Sequence, residues 1–386
     1  MKARMAPWIS LIAAGCFFSG CVAMEPSKAA DDAFPRAGDP QIADILAPIC
    51  RKYGVPAMAM AIVRSDGLKK CGVAGVRKAG TRVAATVDDE WHLGSDTKAM
   101  TATLAGIMVD RGLLAWTTTV EESFPEFSGA MHPDFRKVEL IQLLSHRSGL
   151  PPNLDYGRFS GTAGVREQRL ALAKLALSQK PASAPGQAFS YSNLGYIIAG
   201  AMIEKAAGME WEEAMRRYVF EPLGMTSAGF GGLGTPGTID QPWGHLAKGK
   251  PVKGNGPDWD NPPVAGPAGR VHCSIQDWGR FVSDQLRGAR GEAGLLSPES
   301  FKTLFAVGGD YPLGWAALDR SWADGKAYSH SGSNTMNYCT AWLAPNRDFA
   351  VLACANMGLD AAGPVDEAIR GAILALADAI APRTEK

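Results

Sequence analysis

The 386-residue chain has no excess charge of either sign, because 39 Lys and Arg residues balance 39 Asp and Glu residues. A balanced chain has no general electrostatic attraction to nucleic acid or to an anionic membrane surface. We therefore expect no nucleic-acid partner and look for function in local groups of side chains. Hydrophobic residues make up 46% of the chain, a share that is typical of a folded protein with a large core and excludes a disordered one.

The chain also lacks the usual patterns of two hydrolase classes. Its six histidines show no His-Glu-x-x-His or similar spacing, so we expect no metal and no cofactor. His146, in "LSHRSG", is interpreted as a structural loop residue. No Gly-x-Ser-x-Gly motif occurs, and the strand-helix alternation of a doubly wound sheet is missing. These absences argue against a metal hydrolase and against a Ser-His-Asp hydrolase.

Cysteine is scarce, and five remain beyond residue 21: Cys50, Cys71, Cys273, Cys339 and Cys354. Their spacing matches no zinc motif, and an odd number cannot pair completely within the chain. The segments "NYCTAWL" and "FAVLACAN" alternate like two strands around the turn "APNRD", which predicts a hairpin with Cys339 opposite Cys354. The sequence leaves open whether these two form a disulfide or pack as buried thiols.

The first residues are typical of a targeting segment. A basic start precedes "APWISLIAAGCFFSG", an apolar stretch too short to cross a membrane comfortably, which predicts a signal peptide over residues 1–21 and an exported protein. The segment "FSGC" resembles a bacterial lipobox, which predicts lipidation of Cys21, membrane attachment and a place in the periplasm or cell envelope. A second lipobox-like end at Cys16 and plain secretion are the alternatives.

After the leader, residues 22–40 read as a polar tether to a domain over 41–386. A helix and a two-stranded hairpin are predicted first, then mainly helical spacing that predicts a helical lobe at about 110–250, and last a hairpin and a terminal helix. The fold class is therefore α/β of the α+β type: an antiparallel sheet flanked by helices plus an all-helical lobe. Residues 227–267 are rich in Gly and Pro and predict a long irregular loop that shapes a site.

Ser95 and Lys98 lie three residues apart, where the apolar periodic run "TKAMTATLAGIMVDRG" begins. In a helix, this spacing brings both side chains to one face. The positive end of the helix dipole favours an anionic serine oxygen and disfavours a protonated amine, so a buried lysine there could act as a base. The pair is either a nucleophile with its base or a serine helix cap followed by a solvated lysine.

Two later motifs carry further polar groups. Tyr191 and Asn193, in "YSN", face the same way if the backbone is extended, so that a phenol and a carboxamide reach one cavity. His330 and Gly332, in "HSG", precede the hairpin, where a glycine lets a ligand approach the strand backbone. Taken singly, each motif is also explained by an ordinary turn.

Together, the motifs resemble those of the serine beta-lactamase and penicillin-binding superfamily. The class C beta-lactamase-like branch, with its esterases, D-aminopeptidases and D,D-peptidases, carries Ser-x-x-Lys, Tyr-x-Asn and Lys/His-x-Gly in this order. The segments "LLSHRSGLP" and "FEPLGM" are also similar to family segments. The resemblance covers about residues 45–377 and implies a beta-lactamase/transpeptidase-like fold.

The resemblance implies a role for each motif residue. Ser95 attacks a carbonyl to form an acyl-enzyme that water hydrolyses, and Lys98 and Tyr191 share the proton transfers without a principal base being assigned. Asn193 orients the substrate and forms a hydrogen bond near Lys98. The oxyanion rests on the backbone N–H groups of Ser95 and Ser333.

His330 is the departure that bears on the substrate, which we expect to be an ester, a peptide or a beta-lactam. Class C beta-lactamases carry lysine at this position, so the ammonium that would meet a substrate carboxylate is missing. Histidine can donate a hydrogen bond without requiring an anion. We therefore place carboxylic esters and D-amino-acid peptides ahead of beta-lactams. The alternatives are a class C-like beta-lactamase and a catalytically silent penicillin-binding-like envelope protein.

Overall fold

The computed structural model describes residues 34–159, 163–306, 309–358 and 363–380. The predicted signal peptide and Cys21 lie outside them. The strands are β1 (Arg36–Gly38), β2 (Ala57–Arg64), β3 (Gly67–Gly75), β4 (Glu90–His92), β5 (Gly229–Phe230), β6 (His245–Leu246), β7 (Lys250–Pro251), β8 (Val271–Ser274), β9 (Ala316–Arg320), β10 (Gly325–Ser333), β11 (Tyr338–Ala344) and β12 (Phe349–Ala355). The α-helices are α1 (Pro40–Tyr53), α2 (Thr97–Asp110), α3 (Val120–Ser123), α4 (Leu140–Leu144), α5 (Val165–Ser178), α6 (Asn193–Ala207), α7 (Trp211–Met215), α8 (Glu221–Leu223), α9 (Gly266–Gly269), α10 (Ile275–Ala289), α11 (Pro298–Ala306) and α12 (Pro364–Ile380).

The main sheet is antiparallel and has the strand order β1-β3-β2-β12-β11-β10-β9. Helices α1 and α12 pack on one face, and α10 packs on the other. Because both faces are covered, the central strand β2 is buried from Ala57 to Val63 and reads as a continuous apolar run. The predicted mixed fold, an antiparallel sheet flanked by helices, is confirmed.

The chain between β4 and β5 contains helices α2 to α8. Within the predicted helical lobe, at about 110–250, the structure also has β5 and the two-stranded ribbon of β6 and β7. Each of these strands is two residues long, so no alternating pattern could have predicted them. No helix among the described residues is long and apolar enough to cross a membrane.

The end of the predicted tether belongs to the folded sheet. Residues 36–38 form β1 and pair with β3 at the sheet edge. Asp39 then caps helix α1, since its Oδ1 accepts the N–H of Ile42 at 3.2 Å, and Pro40 occupies the first helical turn. A three-residue edge strand is too short to show a period, which is why the sequence did not separate it from a tether.

The hairpin of β11 and β12 has the predicted register, with Cys339 directly opposite Cys354. Both cysteines are buried free thiols, and Cys339 Sγ donates to the His92 carbonyl oxygen at 3.3 Å. Burial raises the pKa of both thiols. Of the two alternatives, a disulfide or two buried thiols, the structure therefore has the two buried thiols.

Candidate active site

Ser95 lies in a single 3₁₀ turn, Gly94–Asp96, that leads directly into helix α2. No side chain caps the start of this turn or of α2, so Ser95 is not a helix cap. Its hydroxyl oxygen instead accepts a hydrogen bond from Lys98 Nζ at 3.0 Å. The helical spacing thus brings the two side chains together as the sequence predicts.

Lys98 is completely buried. Its ammonium nitrogen contacts the Ser95 hydroxyl and donates to the Ala268 carbonyl oxygen at 2.6 Å, and no carboxylate forms an ion pair with it in the described part of the chain. Burial lowers the pKa of Lys98 well below its usual value, and the nearby Asp96 acts in the opposite direction. The geometry and burial favour a neutral amine that can accept the serine proton.

Asp96 is buried beside the same turn, and neither oxygen of its carboxyl has a hydrogen-bond partner among the described residues. Burial raises the pKa of Asp96 well above its usual value, with Lys98 opposing this effect. A carboxylate without partners would be costly at this depth, so the environment favours the neutral acid.

Tyr191 completes the group around Ser95. Lys98 Nζ lies 4.9 Å from the centroid of the Tyr191 ring. Burial raises the pKa of Tyr191, whereas its hydrogen bond with Ser95 acts against that shift. The phenol therefore keeps its proton at neutral pH and is a hydrogen-bond donor rather than a base. The structure brings the three predicted catalytic side chains together.

Asn193, the first residue of α6, has a different partner from the one predicted. Its Nδ2 donates to Asn153 Oδ1 at 2.8 Å, and Asn153 Oδ1 also accepts from the Tyr156 hydroxyl at 2.8 Å. The expected hydrogen bond close to Lys98 is absent among the described residues because the loop of Asn153 lies against α6. No motif in the sequence indicated Asn153 or Tyr156.

His146 packs against Tyr191 and binds the backbone next to it. It is buried in the left-handed conformation, with φ 57°, and its Nδ1 accepts the N–H of Ser192 at 3.1 Å. Its ring centroid lies 4.3 Å from that of Tyr191. Burial lowers the pKa of His146 well below its usual value. A neutral His146 ring therefore fixes the backbone next to Tyr191, a role that its loop position alone did not reveal.

His330 lies on β10 and is buried. Its Nδ1 is 2.6 Å from the Gly314 carbonyl oxygen, and because a carbonyl only accepts, Nδ1 carries the proton. Burial lowers the pKa of His330 to about 3, and Lys98 contributes. The ring is therefore neutral at physiological pH, and its unprotonated nitrogen, Nε2, is a hydrogen-bond acceptor. The sequence-based expectation of a donor is corrected by this tautomer.

Gly332 and Ser333 bring the end of β10 against the Ser95 turn. A Cβ at Gly332 would overlap the Leu93 carbonyl oxygen and lie 2.5 Å from Ser95 N. A Cβ at Gly94 would overlap Ser333 N. The backbone of the Ser95 turn is therefore in direct contact with the backbone at the end of β10. The amide nitrogens of Ser95 and Ser333 both lie at this contact. The Ser333 hydroxyl donates to the Asn337 carbonyl oxygen at 2.7 Å.

Aromatic side chains border the site. Phe189 is 43% exposed, and its ring centroid lies 5.5 Å from that of Tyr311, which in turn lies 5.9 Å from that of His330. This gives an apolar rim above buried polar groups. Across the described ranges, no three His, Cys, Asp or Glu residues are grouped so that they could hold a metal ion.

Comparisons with known proteins identify the family of this chain. The family model described as Beta-lactamase matches residues 36–375. Penicillin-binding protein 4 of Amycolatopsis lactamdurans is 29% identical over 335 residues, which are 80% of this chain and 82% of that protein. The D-alanyl-D-alanine-carboxypeptidase/endopeptidase AmpH of Escherichia coli strain K12 is 27% identical over 176 residues, which are 45% of each protein. The chain therefore spans less than half of the length of the E. coli relative.

A solved structure shares the fold. The D-alanine carboxypeptidase AmpC of Burkholderia cenocepacia superimposes with a TM-score of 0.68 at 22% identity, over 89% of this chain and 99% of that one. The family model covers most of the chain and includes every residue of the site described above. The chain belongs to the beta-lactamase family, within the superfamily of serine beta-lactamases and penicillin-binding proteins, and shares its serine hydrolase ancestry.

Proposed function

We propose that the protein is a serine hydrolase that works through an acyl-serine intermediate on carboxylic esters or D-amino-acid peptides, in preference to beta-lactams. The observation that carries the proposal is the buried Lys98 amine, 3.0 Å from the Ser95 hydroxyl and without an ionic partner among the described residues. A neutral amine at hydrogen-bond distance from a hydroxyl is the geometry of an activated nucleophile.

In the proposed reaction, Lys98 takes the proton of Ser95 while the serine oxygen attacks the substrate carbonyl. The tetrahedral oxyanion is stabilised by the N–H groups of Ser95 and Ser333. The leaving group then departs with a proton supplied from Lys98 or Tyr191, and water hydrolyses the acyl-enzyme. We assign the principal base to Lys98, because burial lowers the pKa of Lys98 and raises that of Tyr191.

His330 supports the substrate preference. A neutral ring with Nδ1 bound to Gly314 offers a lone pair and no positive charge, so it does not favour the free carboxylate of a beta-lactam or of a D,D-peptide. The His330 lone pair can accept a hydrogen bond from a substrate N–H or ammonium group. An ester without a carboxylate is also compatible with this ring. The exposed Phe189 ring favours an apolar group at the rim.

The test compares three substrates on the purified protein: p-nitrophenyl butyrate, a chromogenic cephalosporin and a D-Ala-D-Ala peptide. We expect turnover of the ester to be fastest, a fluorophosphonate adduct on Ser95, and loss of both in Ser95→Ala. Full activity of Ser95→Ala would contradict the mechanism. Preferred turnover of the cephalosporin would favour the beta-lactamase alternative, and no turnover together with no adduct would favour the catalytically silent binding protein.

We also propose that the protein is exported and anchored to the cell envelope through a lipid on Cys21. The basic start, the short apolar stretch and the lipobox-like "FSGC" support this proposal. Metabolic labelling with radioactive palmitate, followed by fractionation of the envelope, tests it. Label in the wild type and its loss in Cys21→Ser are expected, whereas label retained in Cys21→Ser and lost in Cys16→Ser would move the anchor to Cys16.

A further inference from the structure

A buried carboxylate, Asp260, connects the two backbone segments that meet at the site. Its side chain is completely buried in the loop of residues 227–267. Oδ2 accepts from His92 Nε2 at 2.9 Å and from Arg270 Nε at 3.2 Å, and Oδ1 accepts from Asn334 Nδ2 at 3.0 Å. These four residues are called the Asp260 network below. None of them belongs to the three sequence motifs.

The His92 branch of the network reaches the Ser95 turn. His92 Nδ1 accepts the N–H of Gly94 at 3.1 Å, so this nitrogen carries no proton. The proton is therefore on Nε2, which donates it to Asp260. The carboxylate thus fixes the tautomer of His92, and that tautomer holds the Leu93–Gly94 peptide group, one residue before the Ser95 amide.

The Asn334 branch reaches the end of β10. Asn334 Oδ1 accepts the N–H groups of Met336 at 3.2 Å and Asn337 at 2.9 Å. Because these donors are backbone amides, the orientation of the Asn334 carboxamide is fixed, and its NH₂ group faces Asp260. Asn334 directly follows Ser333, so this branch holds the second segment of the site.

The charge of Asp260 suits this bridging position. Burial by itself raises the pKa of this carboxyl, but His92, Arg270 and Asn334 more than compensate and hold the pKa below its usual value. Asp260 is therefore ionised at neutral pH, and both of its oxygens remain acceptors. One carboxylate can then bind the donor from each branch at the same time.

We propose that Asp260 is a positioning residue for the oxyanion site: through His92 and Asn334 it sets the separation of the Ser95 and Ser333 amides. The inference rests on the proposed function, because an oxyanion forms only if Ser95 is acylated. The His92 branch ends at Gly94, one residue from the Ser95 amide, and the Asn334 branch ends one residue from the Ser333 amide. The backbone at Gly94 touches the backbone of β10 at Gly332 and Ser333. A misplacement of about 1 Å at a reacting centre costs about 10²-fold in rate. The loop of residues 227–267 would thereby take part in the chemistry without contacting the substrate.

The test exchanges the hydrogen-bonding groups of the two side chains. Asp260→Asn keeps the shape but opposes its NH₂ group to that of Asn334, whereas Asn334→Asp opposes two carboxylates. The double variant carrying both changes restores one donor facing one acceptor. Burial and volume stay nearly constant throughout the series. Each single variant changes the charge of the network by one unit and breaks the hydrogen-bond complementarity, whereas the double variant keeps the original charge and restores the complementarity.

We expect each single variant to lower kcat for p-nitrophenyl butyrate about 10- to 100-fold, with KM within about threefold of the wild type. The double variant should recover kcat to within about fivefold. Asp284→Asn is the matched control, because Asp284 is also a completely buried carboxylate, bound to Arg287 and to the N–H of Leu295. Its kcat should stay at the wild-type value even if its melting temperature falls. Single variants that lose kcat without recovery in the double variant would indicate a merely structural role and overturn the inference.

A second measurement does not depend on turnover. Amide hydrogen exchange, followed by mass spectrometry over peptides covering 91–96 and 331–337, should be faster in both peptides of Asp260→Asn and return toward the wild type in the double variant. Wild-type exchange in both peptides of Asp260→Asn would overturn the inference whatever the activity. If the wild type neither hydrolyses the ester nor reacts with a fluorophosphonate, the proposed function fails, and exchange alone decides whether Asp260 holds the two segments.

Discussion

The two ends of helix α6 each lie beside a buried basic side chain, and only one of the two side chains has carboxylate partners. At the C-terminal end, Arg169 contacts Glu204 and Glu212, so one guanidinium meets two carboxylates. At the N-terminal end, Lys98 is equally buried, but it hydrogen-bonds to the Ser95 hydroxyl and a carbonyl oxygen and has no carboxylate partner among the described residues.

The difference follows from what each side chain can do with its proton. A guanidinium does not lose its proton in a protein, so a buried arginine requires carboxylate partners. An amine can release its proton instead, so a buried lysine without partners becomes neutral. Burial raises the pKa of Glu204, and Arg169 opposes this effect. Full pairing thus marks the structural cluster, and missing pairing marks the reactive one.

Among the variants that test this difference between Lys98 and Arg169, the largest effect on activity is expected for Lys98→Met. Removal of the base should lower kcat by about 10²- to 10⁴-fold, while the apolar replacement fits the buried position and leaves the free energy of unfolding nearly unchanged. Ester hydrolysis and urea unfolding measure the two quantities. A variant that unfolds readily but retains kcat would contradict the assignment of Lys98.

Arg169→Met should show the opposite behaviour. It leaves Glu204 buried and unpaired, which costs about 3–5 kcal/mol of unfolding free energy, while kcat of the folded fraction should not change. Urea unfolding at pH 7, together with active-site titration by a fluorophosphonate, separates stability from activity. A loss of kcat per labelled site would show that the two ends of α6 are coupled.

The pH dependence sharpens the contrast at the N-terminal end. Burial lowers the pKa of Lys98, so the amine is neutral above that pKa, and kcat/KM should fall about tenfold per pH unit as the pH drops below it. Burial lowers the pKa of His330 to about 3, so its ring is neutral at physiological pH, and His330→Gln should keep the same acid limb. A limb that disappears in His330→Gln would assign it to His330 instead.

The smallest effect is expected at the rim. Phe189→Ala removes an exposed ring from the apolar rim beside Tyr311 and should raise KM for p-nitrophenyl butyrate about two- to fivefold, with kcat unchanged, because partial burial of an acyl chain is worth about 1 kcal/mol. KM for p-nitrophenyl acetate is the internal control and should change less. Equal changes for both esters would show that Phe189 does not contact the acyl chain.

The sequence predicted those parts of the site that depend on local spacing. Ser95 and Lys98 lie one helical turn apart, so the helical period predicted their contact. Cys339 and Cys354 face each other across a short hairpin, so the alternation of the two strands predicted their pairing. The beta-lactamase-like fold and the family also followed from the order of the three motifs.

The sequence could not predict contacts between distant segments. Asp260 lies 168 positions from His92 and 74 positions from Asn334, and no local pattern relates them. The partner of Asn193 lies in another loop, 40 positions away. The tautomer of His330 depends on the Gly314 carbonyl, which only the folded chain brings near. Tertiary hydrogen bonds of this kind leave no periodic signal.

The contact of Gly94 with the end of β10 bears on how such an enzyme can acquire new substrates. The two proposed oxyanion amides lie where one backbone touches the other, with no side chain between them, and the Asp260 network holds both segments. Substitutions at His330 or Phe189 therefore alter what enters the site without altering that spacing. A laboratory evolution experiment can vary these two positions freely, whereas a library that includes Gly94 or Gly332 will consist largely of inactive variants.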